Sequence, residues 1–362
     1  MKIAWDVTNA CAARYHSGLL RVARQLGRAF QQLLGPDFTW VAWDRRRRTF
    51  LSAANQAFPD LRFETPYQPS NESFFVTSEL FSEKERPGFS EWLKRNPGKS
   101  AAIVHDLIPI RHPDITWPKS VRRHPRYLSL LPAFDCIATV SEDTLADLRL
   151  YAREHALDLP QAHSFPLGVE PARFHPAAAP PPSPPLRLLQ VGILEPRKNQ
   201  ELLLNALESL WSGDLPVEVT FIGRVNPHFG KPVLRRMRRL ARRGHPLHYA
   251  GPTGDDDLFS QYREAHLTVL PSLAEGAGLP LLESLAHGTP VLASDLPAFR
   301  EYGSGRGCRF FPSGSAPGLE SRIRRFLEQP VEFDALYAKL HPSALPTWND
   351  SARALYAILK SG

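Results

Sequence analysis

Short apolar runs alternate along this chain with longer segments of helical spacing. Residues 2–7, 186–191 and 217–222 have the length and composition of buried strands. Residues 19–34 instead repeat apolar side chains every three or four positions, which predicts an amphipathic helix. Because strands and helices alternate through both halves of the chain, the pattern predicts two doubly wound α/β domains.

Proline and alanine dominate residues 176–185, which lie between the two series of strands and helices. Such a sequence forms neither a helix nor a central strand and is typical of an extended, semi-rigid linker. We therefore predict one Rossmann-like domain over residues 1–175 and a second over residues 186–343. Residues 344–362 are predicted to form a last, capped helix.

Composition and length agree with a soluble two-domain protein. The 362 residues exceed one typical core, and the hydrophobic share of 43% is ordinary. No apolar run approaches the roughly 18 residues that a membrane span needs. A strand that begins at Lys2 leaves no room for a signal peptide. Cys11, Cys136 and Cys308 have neither metal-binding nor disulfide spacing, so we expect a cytoplasmic location.

The charge of the chain favours an anionic partner, since the formal net charge is +7. One arginine run occupies residues 45–48, and a second occupies residues 235–243 on a predicted helix. The second run is either a solvated helix face or a surface attracted to an anionic membrane. Nucleic acid is disfavoured because no recognised motif or aromatic-interleaved basic stretch is present.

Residues 266–295 combine a strand, a glycine-containing turn, a helix start and a second strand. Pro280 suits the first turn of the helix, where its missing N–H costs nothing. The backbone N–H groups of the turn would then be unpaired and point outward, which attracts phosphate. The turn residues are Gly276, Ala277, Gly278 and Leu279.

Two carboxylates flank this segment. Glu275 lies just before it, and Glu283 lies about one helical turn inside the predicted helix that follows. Two acids would weaken a site for phosphate alone, but carboxylates accept hydrogen bonds from sugar hydroxyls. The arrangement therefore favours a nucleotide sugar, which carries hydroxyls on both sides of its diphosphate. The alternative is that Glu283 is a solvated acid, favoured there by the helix dipole.

The same residues resemble the donor-site signature of retaining glycosyltransferase family 4, which has the GT-B fold. The signature is Glu275-x7-Glu283 enclosing Gly-x-Gly-Leu-Pro, followed by Glu-Ser-Leu-Ala-x-Gly-Thr-Pro-Val-x-Ala-Ser. The family commonly has an aromatic residue between the two glycines, where this chain has Ala277. That difference would alter the packing of the sugar.

The resemblance implies an α/β protein of GT-B fold, with two Rossmann-like domains that face each other across a cleft. It implies that the first domain binds the acceptor and that the last helix packs back on this domain. Glu283 would hold the ribose hydroxyls of the donor, and Glu275 the hexose hydroxyls. The N–H groups from Gly276 to Leu279 would stabilise the charge that develops on the leaving diphosphate.

Two adjacent cations, Arg197 and Lys198, lie where the strand at residues 186–191 leads into a helix. Both are well suited to a diphosphate, since arginine offers a planar fork and lysine a movable point charge. Lys198 matches the family lysine. The family often has an arginine where this chain has Ile193, and we expect Arg197 to supply that charge. The alternative is a pair of solvated charges.

Further site predictions come from the resemblance. His105 ends a short buried strand, where α/β folds place ligands, and is implied to approach the donor sugar. A packed, hydrogen-bonded histidine is the alternative, and Asp106 is expected to brace the loop. Gly18, with Arg21 after it, matches a family loop that faces the diphosphate. Gly223 is another candidate on the phosphate side because of its position alone, at the end of the strand at residues 217–222.

Two other motifs have structural explanations. Asp255 to Asp257 could hold a metal, but they open a predicted helix, and capping with dipole compensation accounts for them. Gly303 to Gly307 follow a helix and precede a strand, which is the wrong order for a dinucleotide fingerprint. We therefore expect neither a metal nor a cofactor.

The functional prediction is a retaining, metal-independent glycosyltransferase that moves a hexose or deoxyhexose to a hydroxyl acceptor. GDP-mannose or a deoxyhexose donor is expected first and a UDP-sugar next. The acceptor would be a glycan or lipid-linked oligosaccharide of a bacterial surface polysaccharide, with peripheral contact to the membrane. Two alternatives stay open. They are a sugar-nucleotide epimerase of GT-B fold and a non-catalytic membrane-docking homologue.

Overall fold

The protein is described by a computed structural model, which covers residues 1–13, 17–53, 56–170 and 184–361. It divides into two compact units. The first comprises Met1–Arg111, Pro118–Gly168 and Pro346–Gly362, and the second His112–Trp117 and Val169–Leu345. The predicted linker lies outside the described residues except for its last two positions. The domain boundaries at residues 175 and 186 therefore stay predictions.

In the first unit, most strands are parallel, and helices connect many of them. The strands are β1 (Lys2–Asp6), β2 (Phe38–Asp44), β3 (Thr49–Ala53), β4 (Thr65–Pro66), β5 (Ser73–Thr77), β6 (Lys99–Val104), β7 (Cys136–Thr139) and β8 (Ala162–Ser164). The helices are α1 (Thr8–Ala12), α2 (Gly18–Leu34), α3 (Phe89–Arg95), α4 (Ile108–Arg111), α5 (Pro118–Leu128), α6 (Glu142–Glu154) and α14 (Trp348–Ser361).

The eight strands form one sheet in the order β4-β3-β2-β1-β5-β6-β7-β8. Neighbouring strands are parallel throughout the part β2-β1-β5-β6-β7-β8 of this order. Strand β3 instead runs antiparallel to both β2 and β4. Neither β3 nor β4 was predicted. The Arg45 to Arg48 run forms the turn that joins β2 to β3. This antiparallel edge departs from the purely alternating pattern.

Helix α14 packs against α2 within the first unit. Its start is a capping box, since the Thr347 N–H donates to the Asp350 carboxylate and the Asp350 N–H donates to the Thr347 hydroxyl. Ser351 Oγ also donates to the Pro166 carbonyl at 2.8 Å. The chain end is therefore held against the segment that leaves the first sheet.

The second unit is a regular series of strands and helices. Its strands are β9 (Leu186–Val191), β10 (Val217–Ile222), β11 (Leu247–Gly251), β12 (Leu267–Leu270), β13 (Val291–Ser294) and β14 (Cys308–Phe311). Its helices are α7 (Gln200–Ser212), α8 (Gly230–Arg242), α9 (Asp255–Glu264), α10 (Leu279–Ala286), α11 (Pro297–Gly303), α12 (Ala316–Glu328) and α13 (Pro330–Tyr337). The strands predicted for β9 and β10 are confirmed with the same bounds.

All six strands of the second unit are parallel, in the order β11-β10-β9-β12-β13-β14. The chain therefore moves outward from β9 in one direction and resumes at β12 in the other. Parallel sheets of this kind bind ligands beyond the carboxyl ends of the two strands where the order reverses. The turns after β9 and β12 occupy that position.

No helix among the described residues is long and apolar enough to cross a membrane.

Candidate functional site

The turns that follow β9 and β12 are joined by an ion-pair cluster around Glu275. Lys198 Nζ lies 2.6 Å from Glu275 Oε1, and Arg197 Nη1 lies 3.0 Å from Oε2. Ser272 Oγ also donates to Oε1 at 2.7 Å. The side chains of Glu275, Lys198 and Arg197 are 7%, 11% and 21% exposed, so this is a mostly buried cluster with one accessible edge.

The pKa values of the cluster follow from burial and charge. Burial disfavours the ionised form of Glu275, but Lys198, Arg197 and the Ser272 hydroxyl outweigh it, so the pKa of Glu275 is lowered. Burial also lowers the pKa of Lys198, and the attraction of Glu275 offsets this only in part. The interpretation of Arg197 and Lys198 as two solvated charges is therefore wrong.

Arg197 forms hydrogen bonds with residues of both turns, the one after β9 and the one after β12. Its Nε lies 3.1 Å from Glu195 Oε1, while Nη1 also donates to the Ala274 carbonyl at 3.2 Å. Asn226 Nδ2 donates to the other oxygen of Glu195 at 3.2 Å. This chain of contacts links the turns after β10, β9 and β12. The role of Arg197 as a replacement for the family arginine at the diphosphate stays a prediction, and the structure adds that Arg197 bridges Glu195 and Glu275.

Sequence reasoning missed Glu195, Asn226 and Ser272. Asn226 is 2% exposed, and its side-chain oxygen accepts from the N–H groups of His228 and Phe229. The available signal was an asparagine in a polar turn directly after a buried strand, in the sequence Gly-Arg-Val-Asn-Pro. Nothing local indicated its contact with Glu195.

Helix α10 begins at Leu279, with Gly278 as its N-cap residue at φ +79°. A Cβ at Gly278 would lie 2.7 Å from the Phe299 ring, so both the backbone angle and the packing require glycine. Among the described residues, nothing accepts a hydrogen bond from the N–H groups of Ala277, Gly278 or Leu279. The predicted unpaired donors at the helix start are thus present at three of the four predicted positions, Gly276 being the exception.

Glu283 lies inside α10 and is 5% exposed. The Tyr262 hydroxyl donates to Glu283 Oε2 at 3.0 Å. The alternative that Glu283 is a solvated first-turn acid is therefore wrong. Its contact with ribose hydroxyls stays a prediction.

Gly223 has a structural explanation. Its φ is +146°, and a Cβ there would lie 2.0 Å from the Gly192 carbonyl oxygen. Its N–H donates to the Gly251 carbonyl, and its own carbonyl accepts from the Tyr249 hydroxyl. Both polar backbone groups of Gly223 are engaged within the sheet edge, so the geometry lends its predicted role at the diphosphate no support.

In the first unit, Gly18 is the first residue of α2, and the Ser17 hydroxyl caps this helix by accepting from the Leu20 N–H. The Arg21 N–H donates to the Ser17 carbonyl. Arg14, Tyr15 and His16 of the same predicted loop lie outside the described residues. The role of Gly18 at the diphosphate stays a prediction.

His105 follows the carboxyl end of β6, as predicted, and is 7% exposed. Burial lowers the pKa of this imidazole. Its Nε2 lies 2.8 Å from the Ser78 carbonyl, which can only accept. Both observations favour a neutral ring with its proton on Nε2, which leaves Nδ1 as the acceptor. Asp106 Oδ1 accepts from the Ile108 N–H, which confirms that it braces the loop.

The two motifs lie at the positions in the fold that the sequence predicted. Asp255 to Asp257 form the first turn of α9, where the helix dipole favours acids, although no side chain caps this helix. No group of three potential metal ligands occurs among the described residues. Gly303 to Gly307 lie between α11 and β14, which is the order that disfavours a dinucleotide site.

Comparison with known proteins identifies the carboxy-terminal half most clearly. Residues 173–342 match the family model described as glycosyl transferases group 1. The serotype-specific mannosyltransferase WbdA of Escherichia coli is 27% identical over 275 residues, which is 70% of this chain and 32% of WbdA. A phosphatidyl-myo-inositol mannosyltransferase of Mycolicibacterium smegmatis is 35% identical over 136 residues, 37% of this chain and 34% of that protein. The chain spans about a third of the length of these relatives.

Solved structures match over the whole chain. Sucrose-phosphate synthase from Thermosynechococcus elongatus gives a TM-score of 0.71 at 19% identity and covers 100% of this chain and 98% of its own. Anabaena HepE in complex with UDP and glucose gives a TM-score of 0.69 at 14% identity, with 100% of both chains covered. These likenesses confirm the predicted GT-B fold. With the family match over residues 173–342, they support the resemblance of the chain to the group 1 glycosyl transferases.

Proposed function

We propose that this protein transfers a hexose or deoxyhexose from a nucleoside diphosphate sugar to a hydroxyl acceptor, with retention at the anomeric carbon. One observation carries the proposal. The unpaired N–H groups of Ala277, Gly278 and Leu279 lie in the turn that begins at Glu275, and Glu275 itself holds Lys198. Backbone donors and a cation together suit a diphosphate at the strand-order reversal.

The proposed roles follow from charge and position. The helix start would bind the diphosphate, and Lys198 and Arg197 would balance the charge that grows on it as the sugar leaves. Glu275, already oriented by Ser272 and the two cations, would accept from hexose hydroxyls. Glu283, oriented by Tyr262, would accept from the ribose. His105, with Nδ1 as an acceptor, would contact a sugar hydroxyl.

The relatives narrow the substrates. Both curated relatives described above are named mannosyltransferases, which supports GDP-mannose as the first donor to test. HepE was solved with UDP and glucose, which supports UDP-sugars as the second choice. One relative is named for a serotype and the other for phosphatidyl-myo-inositol, so we propose a glycan or lipid-linked acceptor.

Donor binding is tested by thermal shift with GDP, UDP, GDP-mannose and UDP-glucose. A donor that binds only the folded state raises the melting temperature of the wild type by mass action. Lys198→Met is expected to weaken nucleotide binding by roughly tenfold to a hundredfold, because a charge-assisted contact is lost. The matched control is Lys339→Met, which changes an exposed lysine in the same unit.

Transfer is then measured with the donor that binds, in the presence of a chelator and with acceptor glycans. Glu283→Gln is expected to reduce transfer strongly, because an amide replaces the buried carboxylate. Normal transfer by both Glu283→Gln and Lys198→Met would contradict the assignment. Isomerised donor in an incubation without acceptor would favour the epimerase instead.

A further inference from the structure

Helix α8 places its apolar and its cationic residues on opposite sides. Val233, Met237 and Leu240 are buried in the core of the second unit. At about 100° per residue, five cations fall within an arc of roughly 100° that faces away from these three. We refer to them as the α8 cationic face. They are Lys231, Arg235, Arg238, Arg239 and Arg242.

All five side chains of the α8 cationic face are exposed, and α8 contains no acidic residue. Among the described residues, no carboxylate forms a salt bridge with any of them. Arg236 provides the contrast, because it is turned towards α7 and pairs with Glu201 and Glu208. The fold therefore neutralises the arginine that faces a neighbour and leaves five charges directed at solvent.

The α8 cationic face presents mainly charged groups to solvent. Its helix is about 20 Å long, from roughly 1.5 Å per residue, and its apolar side is already used by the core. It therefore cannot insert into a bilayer. The exposed residues of α8 are Pro232, Ala241 and the five cations, so the face carries no aromatic side chain on which bases could stack.

We propose that the α8 cationic face docks the protein on a membrane surface rich in anionic lipid. The occupant is a layer of phosphate-bearing lipid headgroups, because the five charges lie on one side of a helix and have no carboxylate partner in the described part of the chain. Cations near an anionic leaflet each contribute roughly a fivefold gain in binding, which is lost beyond a Debye length. The docking is independent of the donor site and of the proposed reaction.

The test is flotation of the full chain with vesicles of phosphatidylcholine alone or mixed with phosphatidylglycerol. The wild type is expected to bind only the mixed vesicles, and less as salt is raised. The variant Arg235→Gln, Arg239→Gln, Arg242→Gln is expected to bind about a hundredfold more weakly, because three charges are lost. Lysine at the same three positions is expected to restore binding.

The matched control is Arg45→Gln, Arg46→Gln, Arg47→Gln, which changes exposed arginines in the turn between β2 and β3. Both triple variants lower the formal net charge from +7 to +4. Only the α8 variant is expected to lose vesicle binding, and its melting temperature should match that of the wild type because core residues are untouched.

Three outcomes of the flotation assay would overturn the proposal. They are equal loss in both triple variants, unchanged binding by the α8 variant, and equal binding to neutral vesicles. Displacement from mixed vesicles by a low concentration of duplex DNA would also contradict it, since nucleic acid would then be the preferred partner. Vesicle binding that persists in a protein inactive towards every donor would separate this inference from the proposed reaction.

Discussion

Both sheets place acids and cations where their strand order reverses, but the two clusters differ in what they leave open. In the first unit, between β1 and β5, Arg86 bridges Asp6 and Glu79, and all three side chains are at most 3% exposed. Glu79 also accepts from the N–H groups of Asn9 and Ala10 at the start of α1. The chain's own carboxylate thus occupies the place where such a turn could bind an anion.

In the second unit, Glu275 binds side chains rather than the helix start. Its partners are Lys198, Arg197 and Ser272, while the N–H groups of Ala277, Gly278 and Leu279 have no partner among the described residues. The same kinds of residues therefore build a closed structural core in one sheet and an anion-ready turn in the other. The position of one carboxylate relative to a helix start decides between the two.

The largest effect is expected from Arg86→Met, which would leave the Asp6 carboxylate buried without its cation. Breaking a buried ion pair by removing one partner costs about 3–5 kcal/mol. Urea unfolding at neutral pH should show this loss in the free energy of unfolding. Arg95→Met is the control, since Arg95 and Glu91 form an exposed pair at 76% and 63% exposure. Equal midpoints for both variants would contradict the structural role of Arg86.

The pH dependence of wild-type stability provides a second test of this buried cluster. Burial and the nearby Asp6 raise the pKa of Glu79 to about 8, from an ordinary value of 4.5. The folded state therefore binds a proton that the unfolded chain has released, and this contribution to stability falls as pH rises from about 4.5 to 8. Glu79→Gln should flatten that part of the wild-type stability curve.

The second site was predictable where its signals are local. Gly276, Gly278 and Pro280 indicate a turn and a helix start through their own backbone preferences, and the structure has both. The contact between Lys198 and Glu275 joins residues 77 positions apart, so only the family resemblance placed them together. The bridging role of Arg197 had no local signal.

The first site was less predictable. Arg86 lies in a polar loop, 80 positions from Asp6, and nothing in its neighbourhood distinguishes it from a solvated arginine. Helix α1 has five residues and little amphipathic pattern, so its start, which Glu79 caps, was missed as well. Long-range ion pairs cannot be predicted from local sequence, because the order of the strands in the sheet decides which distant residues meet.

A smaller effect is expected from Asn226→Ala, which tests whether neutral groups hold the second cluster together. The substitution removes the donor to Glu195 and the acceptor for the N–H groups of His228 and Phe229. Loss of such buried bonds costs about 1–3 kcal/mol, less than Arg86→Met. Urea unfolding is the measurement. Asn71→Ala, at an exposed asparagine whose side chain forms no hydrogen bond among the described residues, should change stability little, and equal losses would show that the bridge is unimportant.

The smallest effect concerns the protonation of Lys198. Burial lowers its pKa from 10.5, so this lysine loses its proton at a lower pH than an exposed one. Nucleotide diphosphate affinity should therefore fall by a few-fold as pH rises through the alkaline range, because a positive charge at the diphosphate disappears. Titration calorimetry with GDP and UDP measures this for the wild type and for Lys198→Arg, which keeps its charge. The nucleotide also changes its ionisation with pH, but this effect is the same for both proteins. The difference between their affinity profiles therefore reports the protonation of Lys198. Parallel profiles would mean that the lysine stays charged throughout or does not contact the diphosphate, and the second cluster would then be as closed as the first.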